Sequence, residues 1–418
     1  MEMGTSHNKP KLPANQTKHI SRPGSSVQNK QKILLVSSMV AGSPAVHLAL
    51  ALRKLGQELR VVSNYAHPCV DARAYGLFDV SAWCKKNTYI PDVLLYIEGS
   101  SPFFPYNWEQ LSCITAWWSI DSHIHPERHA RIAKLFDLTL AAQKRFVDSL
   151  PAGGAVWLPL AAASIAATEP PPPDPAMRDL DIAYVGSSDR RLHIQRALLL
   201  DSIREKFKKV FLGPAPSAQL DSIYRRAKIV FNRSVKGDLN MRYFEAMRAG
   251  AVLVTNPIPH SGVELLFKEG EDFIVYQDEH PEHSEHSEHT LLHKLEALLA
   301  DPVRLNQIGK SGYARISAEH TYLHRAQSTL SALSSTKSKS SPQPADFFMA
   351  YHSLDCAEGM LWANAQSLAA LHRRRDKSRV LGLAVTILNT MARLLIGAYQ
   401  WRYHLRQSRL DRKQKAAA

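Results

Sequence analysis

The run 228–256, KIVFNRSVKGDLNMRYFEAMRAGAVLVTN, constrains the fold more than any other stretch of the chain. Ile229–Phe231 has the apolar, β-branched character of a buried strand and breaks at Asn232. Val235–Asn240 is polar and holds Gly237, Met241–Ala249 carries helix formers, and Gly250 stops the helix. Ala251–Thr255 is again a buried strand. The spacing predicts a strand–loop–helix–strand unit whose helix Asp238 or Asn240 caps. The free N–H groups and positive dipole end at such a helix start suit an anion such as a diphosphate. Arg242 and Glu245, three apart, share a face near that start, where a carboxylate accepts hydrogen bonds from ribose hydroxyls. The plainer reading of the same residues is a capped loop with a surface ion pair.

Further α/β units flank this one. Lys32–Ser37 is a strand, Met39–Pro44 a turn, Val46–Leu55 a helix ended by Gly56, and Leu59–Ser63 the next strand. The turn has the single glycine Gly42, so it is no GxGxxG fingerprint and does not point to NAD. Asp92–Ile97 and Ile114–Trp118 read as buried strands, and the second runs into Ser119-Ile120-Asp121-Ser122-His123. Ligands of open α/β sheets sit beyond the carboxyl ends of strands, which brings Asp121 and His123 to a cleft edge. Asp121 either orients His123 toward a sugar hydroxyl or phosphate, or caps a helix beside a solvated histidine. Trp108, Trp117 and Trp118 read as core rather than as sugar platforms.

The proline run 170–175 (PPPPDP) continues neither a helix nor a central strand, and marks the domain boundary as a stiff spacer. Beyond it, Asp181–Val185 is a strand, Gly186 its turn, and Arg190 and Arg191 head a helix to about Phe207. Lys209–Leu212 is a strand, a helix runs from about Ala218 to Arg226, Gly262–Leu266 is helical, and Phe273–Tyr276 is a strand. Asp278–Thr290 alternates histidine with glutamate and reads as an exposed loop, although His280, His283, His286, His289 and His293 have spacings that also attract metal ions. Leu291–Ala300 and Pro302–Leu330 close the domain as helices.

The formal charge of +14 is unevenly placed. Residues 1–32 hold six Lys/Arg against one Glu, and 372–415 hold twelve against two Asp, leaving the rest near neutral. The basic balance marks the tails and is no argument for a nucleic-acid-binding core, since the basic N-terminal tail has no interleaved base-stacking aromatics. Residues 1–31 are polar and lack periodicity, which predicts disorder. Ser331–Pro344 is a linker, and Phe347–Leu371 reads as helical. Val380–Trp401 carries the apolar stripe Leu381, Val385, Leu388, Met391, Leu395 and Tyr399 between basic flanks. It reads first as a helix on an anionic membrane surface, with a partner helix and a bilayer span as the alternatives. The cysteines Cys69, Cys84, Cys113 and Cys356 form no CxxC pair, which fits a reducing cytoplasm and argues against a zinc site. Nothing at the start has the form of a signal peptide.

The pattern Asn232-x-Ser234-x-x-x-Asp238-x-Asn240-Met241-Arg242-x-Phe244-Glu245-Ala246, with Gly250 and Thr255-Asn256, resembles the CgeB-type glycosyltransferase-like family, a relative of the GT-B retaining glycosyltransferases. The resemblance runs over about residues 92–330, through WWSIDSH, Trp157-Leu158-Pro159-Leu160, His260-Ser261-Gly262 and His320-Thr321-Tyr322. It implies an α/β, GT-B fold: two Rossmann-like domains (32–165 and 181–330) facing a cleft, joined through 166–180; composition, outside the resemblance, adds a linker at 331–345 and a helical basic extension at 346–418. It implies a nucleotide-sugar donor whose ribose meets Glu245 and whose diphosphate meets Gly186, one of Arg190 and Arg191, and the loop residues Asn232, Asp238, Asn240 and Arg242. The first loop brings Gly42 to the acceptor side, where Asp121 and His123 stand. No metal or cofactor is implied. A second family glutamate, which contacts the donor sugar, corresponds to Gly237, and that departure keeps open a second reading as a non-catalytic nucleotide-sugar or glycan binder in a membrane-associated assembly. The acceptor, whether glycan, lipid or protein, is not legible.

Overall fold

The computed structural model describes residues 30–338, except 75–76, 100–102, 110, 152, 192 and 278–283, together with Ile387, Thr390 and Met391. The expectations for residues 1–29 and for the tail beyond 338 therefore lie outside the described residues, apart from the helical state of those last three. Among the described residues no helix is long and apolar enough to cross a membrane.

The first half of the chain alternates strand and helix: β1 (Lys32–Val36), α1 (Pro44–Lys54), β2 (Glu58–Ser63), β3 (Ala72–Arg73), β4 (Leu77–Asp79), α2 (Val80–Lys86), β5 (Val93–Ile97), β6 (Phe104–Tyr106), β7 (Ile114–Ser119), α3 (Pro126–Ala133), β8 (Leu138–Ala141), α4 (Lys144–Ser149) and β9 (Val156–Trp157). Seven strands form one parallel sheet in the order β3-β2-β1-β5-β7-β8-β9, and β4 pairs with β6. Runs such as VLLYI in β5 are buried along their whole length because a parallel sheet is covered on both faces. Leu94 and Tyr96 pack on one side with Trp117 and Phe136, and Val93, Leu95 and Ile97 on the other with Trp118 and α1. Trp108, Trp117 and Trp118 are all core residues.

The second half comprises β10 (Leu180–Val185), α5 (Ile194–Lys206), β11 (Val210–Gly213), α6 (Ser217–Arg226), β12 (Ala227–Asn232), α7 (Met241–Arg248), β13 (Val252–Thr255), β14 (Ile274–Val275), α8 (Ser284–Leu299), α9 (Pro302–Glu319) and α10 (Tyr322–Ser335). Its sheet is parallel, in the order β11-β10-β12-β13-β14. In both sheets the strand order reverses beside the first strand, between β1 and β5 and between β10 and β12. Those two switch points place the carboxyl ends of β1, β5, β10 and β12 where a ligand crevice forms.

Several local expectations change. The histidine-rich stretch is helical from Ser284 onward, where it begins α8. Gly262–Leu266 is only a 3-10 turn over Val263–Leu265, preceded by the left-handed Gly262 (φ 82°). The closing helices break at His320–Thr321, and α10 returns to pack on α1, with the Ala162 N–H donating to His320 O (3.0 Å) and the Tyr322 N–H to Ala162 O (2.9 Å). The proline run is held in place through its carbonyls. Arg225 donates to Pro170 O and Pro171 O, and the buried Arg178 donates to Pro173 O.

Candidate functional site

On the C-terminal side the site is built around the start of α7. Asn240 is the cap, its Oδ1 accepting from the Arg242 N–H at 3.2 Å. Asp238 does not cap the helix: its Oδ1 accepts from Ser234 Oγ and the Val235 N–H, both at 2.7 Å, and so sets the loop that delivers Asn240. Asn232 is fully buried, with Nδ2 on Thr255 Oγ1 and Oδ1 on Arg242 Nη1 (2.6 Å), so it holds the machinery from below instead of lining the cleft. Arg242 likewise points inward. Its guanidinium donates to Val185 O (2.7 Å) and Tyr224 Oη (3.2 Å) and lies 4.4 Å from the Tyr184 ring centroid. The surface pair with Glu245 drawn from the three-residue spacing does not form.

That leaves the half-buried Glu245 with no hydrogen bond or ion pair from the described residues, and desolvation, only partly offset by the Arg242 charge, pushes its carboxyl up to about 7. A desolvated, unpartnered carboxylate is costly unless something else supplies donors. Gly237 sits at φ 76° with open space around it, so no side chain stands where a sugar-binding carboxylate would be expected.

Gly186 ends β10, and a Cβ there would lie 2.8 Å from Arg242 Nη2 and 2.9 Å from Tyr184 Oη. Gly186→Ala should displace Arg242 and lower stability by about 1–3 kcal/mol. An unchanged thermal midpoint would show that the Arg242 hold is dispensable. Arg190 and Arg191 are exposed and bound to neighbouring carboxylates, Arg190 to Asp201 and Arg191 to Asp189 (2.8 Å). Sequence reading missed Arg196, which is buried beside the same turn, 5.8 Å from the Tyr184 ring centroid, with Nη2 on Arg233 O and Nε without a partner. Its signal was present: it lies on the buried stripe of α5 with Leu199, Leu200 and Ile203.

The facing wall comes from the N-terminal sheet. Asp121 and His123 lie in the loop after β7, and no hydrogen bond joins them. Desolvation, with the Glu98 charge next, pushes Asp121 up to about 6, although the residue keeps an exposed surface. Burial lowers His123, against the pull of Asp238 on the opposite wall and of Glu98, and its Nδ1 has no partner. Glu98, at the end of β5, was not singled out from sequence, nor was His129, whose Nε2 lies 3.1 Å from Glu98 Oε1. The walls meet at the cleft floor. The Leu239 N–H donates to Gln143 Oε1 (3.1 Å), and Gly42 (φ 78°) abuts α6, where a Cβ would come within 2.8 Å of Ser217 Cβ. Gly42 is thus a close contact between the halves. Among the described residues no group of three or more His, Cys, Asp or Glu is arranged to hold a metal ion.

Residues 176–331 match a family model described as glycosyl transferase-like. No curated protein gives a significant match to the chain. Among solved structures, Anabaena HepE in complex with UDP-glucose superposes with a TM-score of 0.52 at 11% identity, over 72% of this chain and 99% of that one. Sucrose-phosphate synthase from Thermosynechococcus elongatus gives 0.50 at 13%, over 72% and 97%. An α-glucosyltransferase in complex with UDP and DNA gives 0.50 at 8%, over 73% and 100%. At such identities the likeness speaks for the fold. The two parallel sheets thus have the GT-B type of fold, and residues 176–331 are similar to the glycosyl transferase-like family.

Proposed function

We propose that this protein is a glycosyltransferase that moves a sugar from a nucleotide-sugar donor to an acceptor, in the manner of the CgeB-type enzymes, as a hexosyltransferase that needs no metal ion. The observation that carries the reading is Glu245: a carboxylate one turn into α7, desolvated and unpartnered at the crevice, suited to the hydroxyls of a ribose. The start of α7 and an arginine near the Gly186 turn would meet the diphosphate, with buried Arg196 better preorganised than the exposed Arg190 and Arg191. Asp121 and His123 would face the acceptor. Catalysis is then electrostatic stabilisation of the leaving nucleoside diphosphate, not attack by a side chain. UDP and UDP-glucose in two structural neighbours make uridine diphosphate sugars the first donors to try. The basic extension 372–415 would hold the enzyme to an anionic membrane, on the cytoplasmic face.

The test is a panel of nucleotide sugars with nucleoside diphosphate release as the readout, for the native protein and Glu245→Ala. Release from one donor, reduced about 100-fold or more in the variant, is the expected result. The open space at Gly237 favours one rival, a protein that binds the nucleotide sugar without consuming it. Nucleotide binding that needs Glu245, with no donor consumed, would establish that rival. Absence of any nucleotide binding would defeat both.

A further inference from the structure

The carboxyl end of β5 carries a charged cluster to which the reading above gives no part. Glu98 follows five wholly buried apolar residues and turns its two oxygens to different tasks. Oε2 accepts from two successive backbone N–H groups of the loop after β7, Ile120 at 2.7 Å and Asp121 at 2.9 Å. Oε1 lies 3.1 Å from His129 Nε2. His129 is almost wholly buried in α3, its ring against Trp117 and Phe146, and its Nδ1 is 2.7 Å from Oγ of the fully buried Ser119. Burial alone would raise the Glu98 carboxyl, but the His129 hydrogen bond and charge, with the two loop amides, hold it below the usual glutamate range. A buried polar contact of this kind adds little net stability against an apolar replacement, which makes conformational specificity its natural use. Here the specificity is directional. The chain Ser119–His129–Glu98 ties three elements to the two amides immediately before Ser122 and His123.

We propose that Glu98 is a positioning residue for the acceptor wall: anchored by His129, it holds the 120–123 loop so that Asp121 and His123 face the crevice. The proposal rests on the glycosyltransferase reading of that crevice. It does not involve the nucleotide, which the other wall binds. Because both amides bind one oxygen, glutamine at 98 retains an acceptor for them while giving up the charge. Alanine gives up both.

The experiment compares Glu98→Ala and Glu98→Gln in the full chain. With the donor identified by the panel, Glu98→Ala should lower kcat about 100-fold, the cost of misplacing a reacting group by roughly an ångström, while donor KM stays within about twofold. Glu98→Gln should recover at least about tenfold of that loss. UDP affinity by calorimetry should stay within about twofold in both variants, since α7 is untouched. Loss of UDP affinity in step with kcat would reduce Glu98 to general structural support and overturn the proposal, as would a Glu98→Gln no better than Glu98→Ala. Should the native protein consume no donor, the glycosyltransferase reading fails by itself. The hold on the loop is then read by hydrogen exchange of the Ile120 and Asp121 amides, expected to quicken about tenfold or more in Glu98→Ala and not in Glu98→Gln. Unchanged exchange in Glu98→Ala would overturn the proposal.

Discussion

Glu245→Gln should make the ligand-free protein more stable at pH 8, by up to about 3 kcal/mol, while weakening nucleotide binding. The sign follows from the direction of the shift. Burial raises the Glu245 carboxyl from an ordinary 4.5 to about 7, so the folded protein keeps a proton that the unfolded chain has already lost. Stability therefore declines as pH rises from about 4.5 to about 7, and above that the deficit is complete. Glutamine carries no charge to desolvate and escapes the penalty. A nucleotide would repay it differently, by donating ribose hydroxyls to the carboxylate, so affinity for UDP should rise with pH through about 7 and be flat in the glutamine variant. Denaturation midpoints at pH 5 and pH 8 check the first half, and calorimetric titration over the same range checks the second. A variant that is less stable than the native protein at pH 8 would mean that Glu245 is solvated after all.

Arg178→Met should cost about 3–5 kcal/mol, read as a lowered thermal midpoint. The Arg178 guanidinium is buried without a carboxylate. It donates to Pro173 O, to Tyr224 O and Ala227 O at the end of α6, and to Ala249 O and Gly250 O at the end of α7. One cation thus satisfies carbonyls at the negative dipole ends of two helices. Burial lowers its pKa to about 10 and still leaves it charged at neutral pH. Methionine fills the space but takes the guanidinium away from five carbonyls, of which Tyr224 O keeps the Ala227 N–H, and Arg178→Lys, with three donors in place of five, should fall between. Since α7 carries Asn240 and Glu245, nucleotide affinity should weaken too. A loss below about 1 kcal/mol would indicate that water reaches those carbonyls.

The legible parts of the site were those whose physics is local. A strand of consecutive apolar residues, a cap one residue before a helix, and a glutamate one turn in are decided within a few positions, so β5, β12 and α7, the Asn240 cap and the turn at Gly186 could be placed from sequence. Short strands such as β8 and β9 escaped notice because four and two residues carry too little pattern, and their pairing comes from neighbouring strands. The inward bonds of Arg242 and Asn232 were not legible for the converse reason. Spacing makes Arg242 a surface partner of Glu245, whereas the ends of β10 and β12 and the Tyr184 ring draw it inward.

By itself, then, the sequence determined the alternation of strands and helices, the strand–loop–helix unit at 228–256 and the presence of a carboxylate on α7, because each depends on residues within about two turns of one another. The tertiary structure alone decided which charges face the crevice and which are buried beneath it. Glu98 meets His129 across 31 positions and Arg178 meets Gly250 across 72, and only the packing of two parallel sheets brings such groups within hydrogen-bonding distance. Burial then sets their chemistry, leaving Glu245 without a partner while Arg242, Asn232 and Arg178 find theirs.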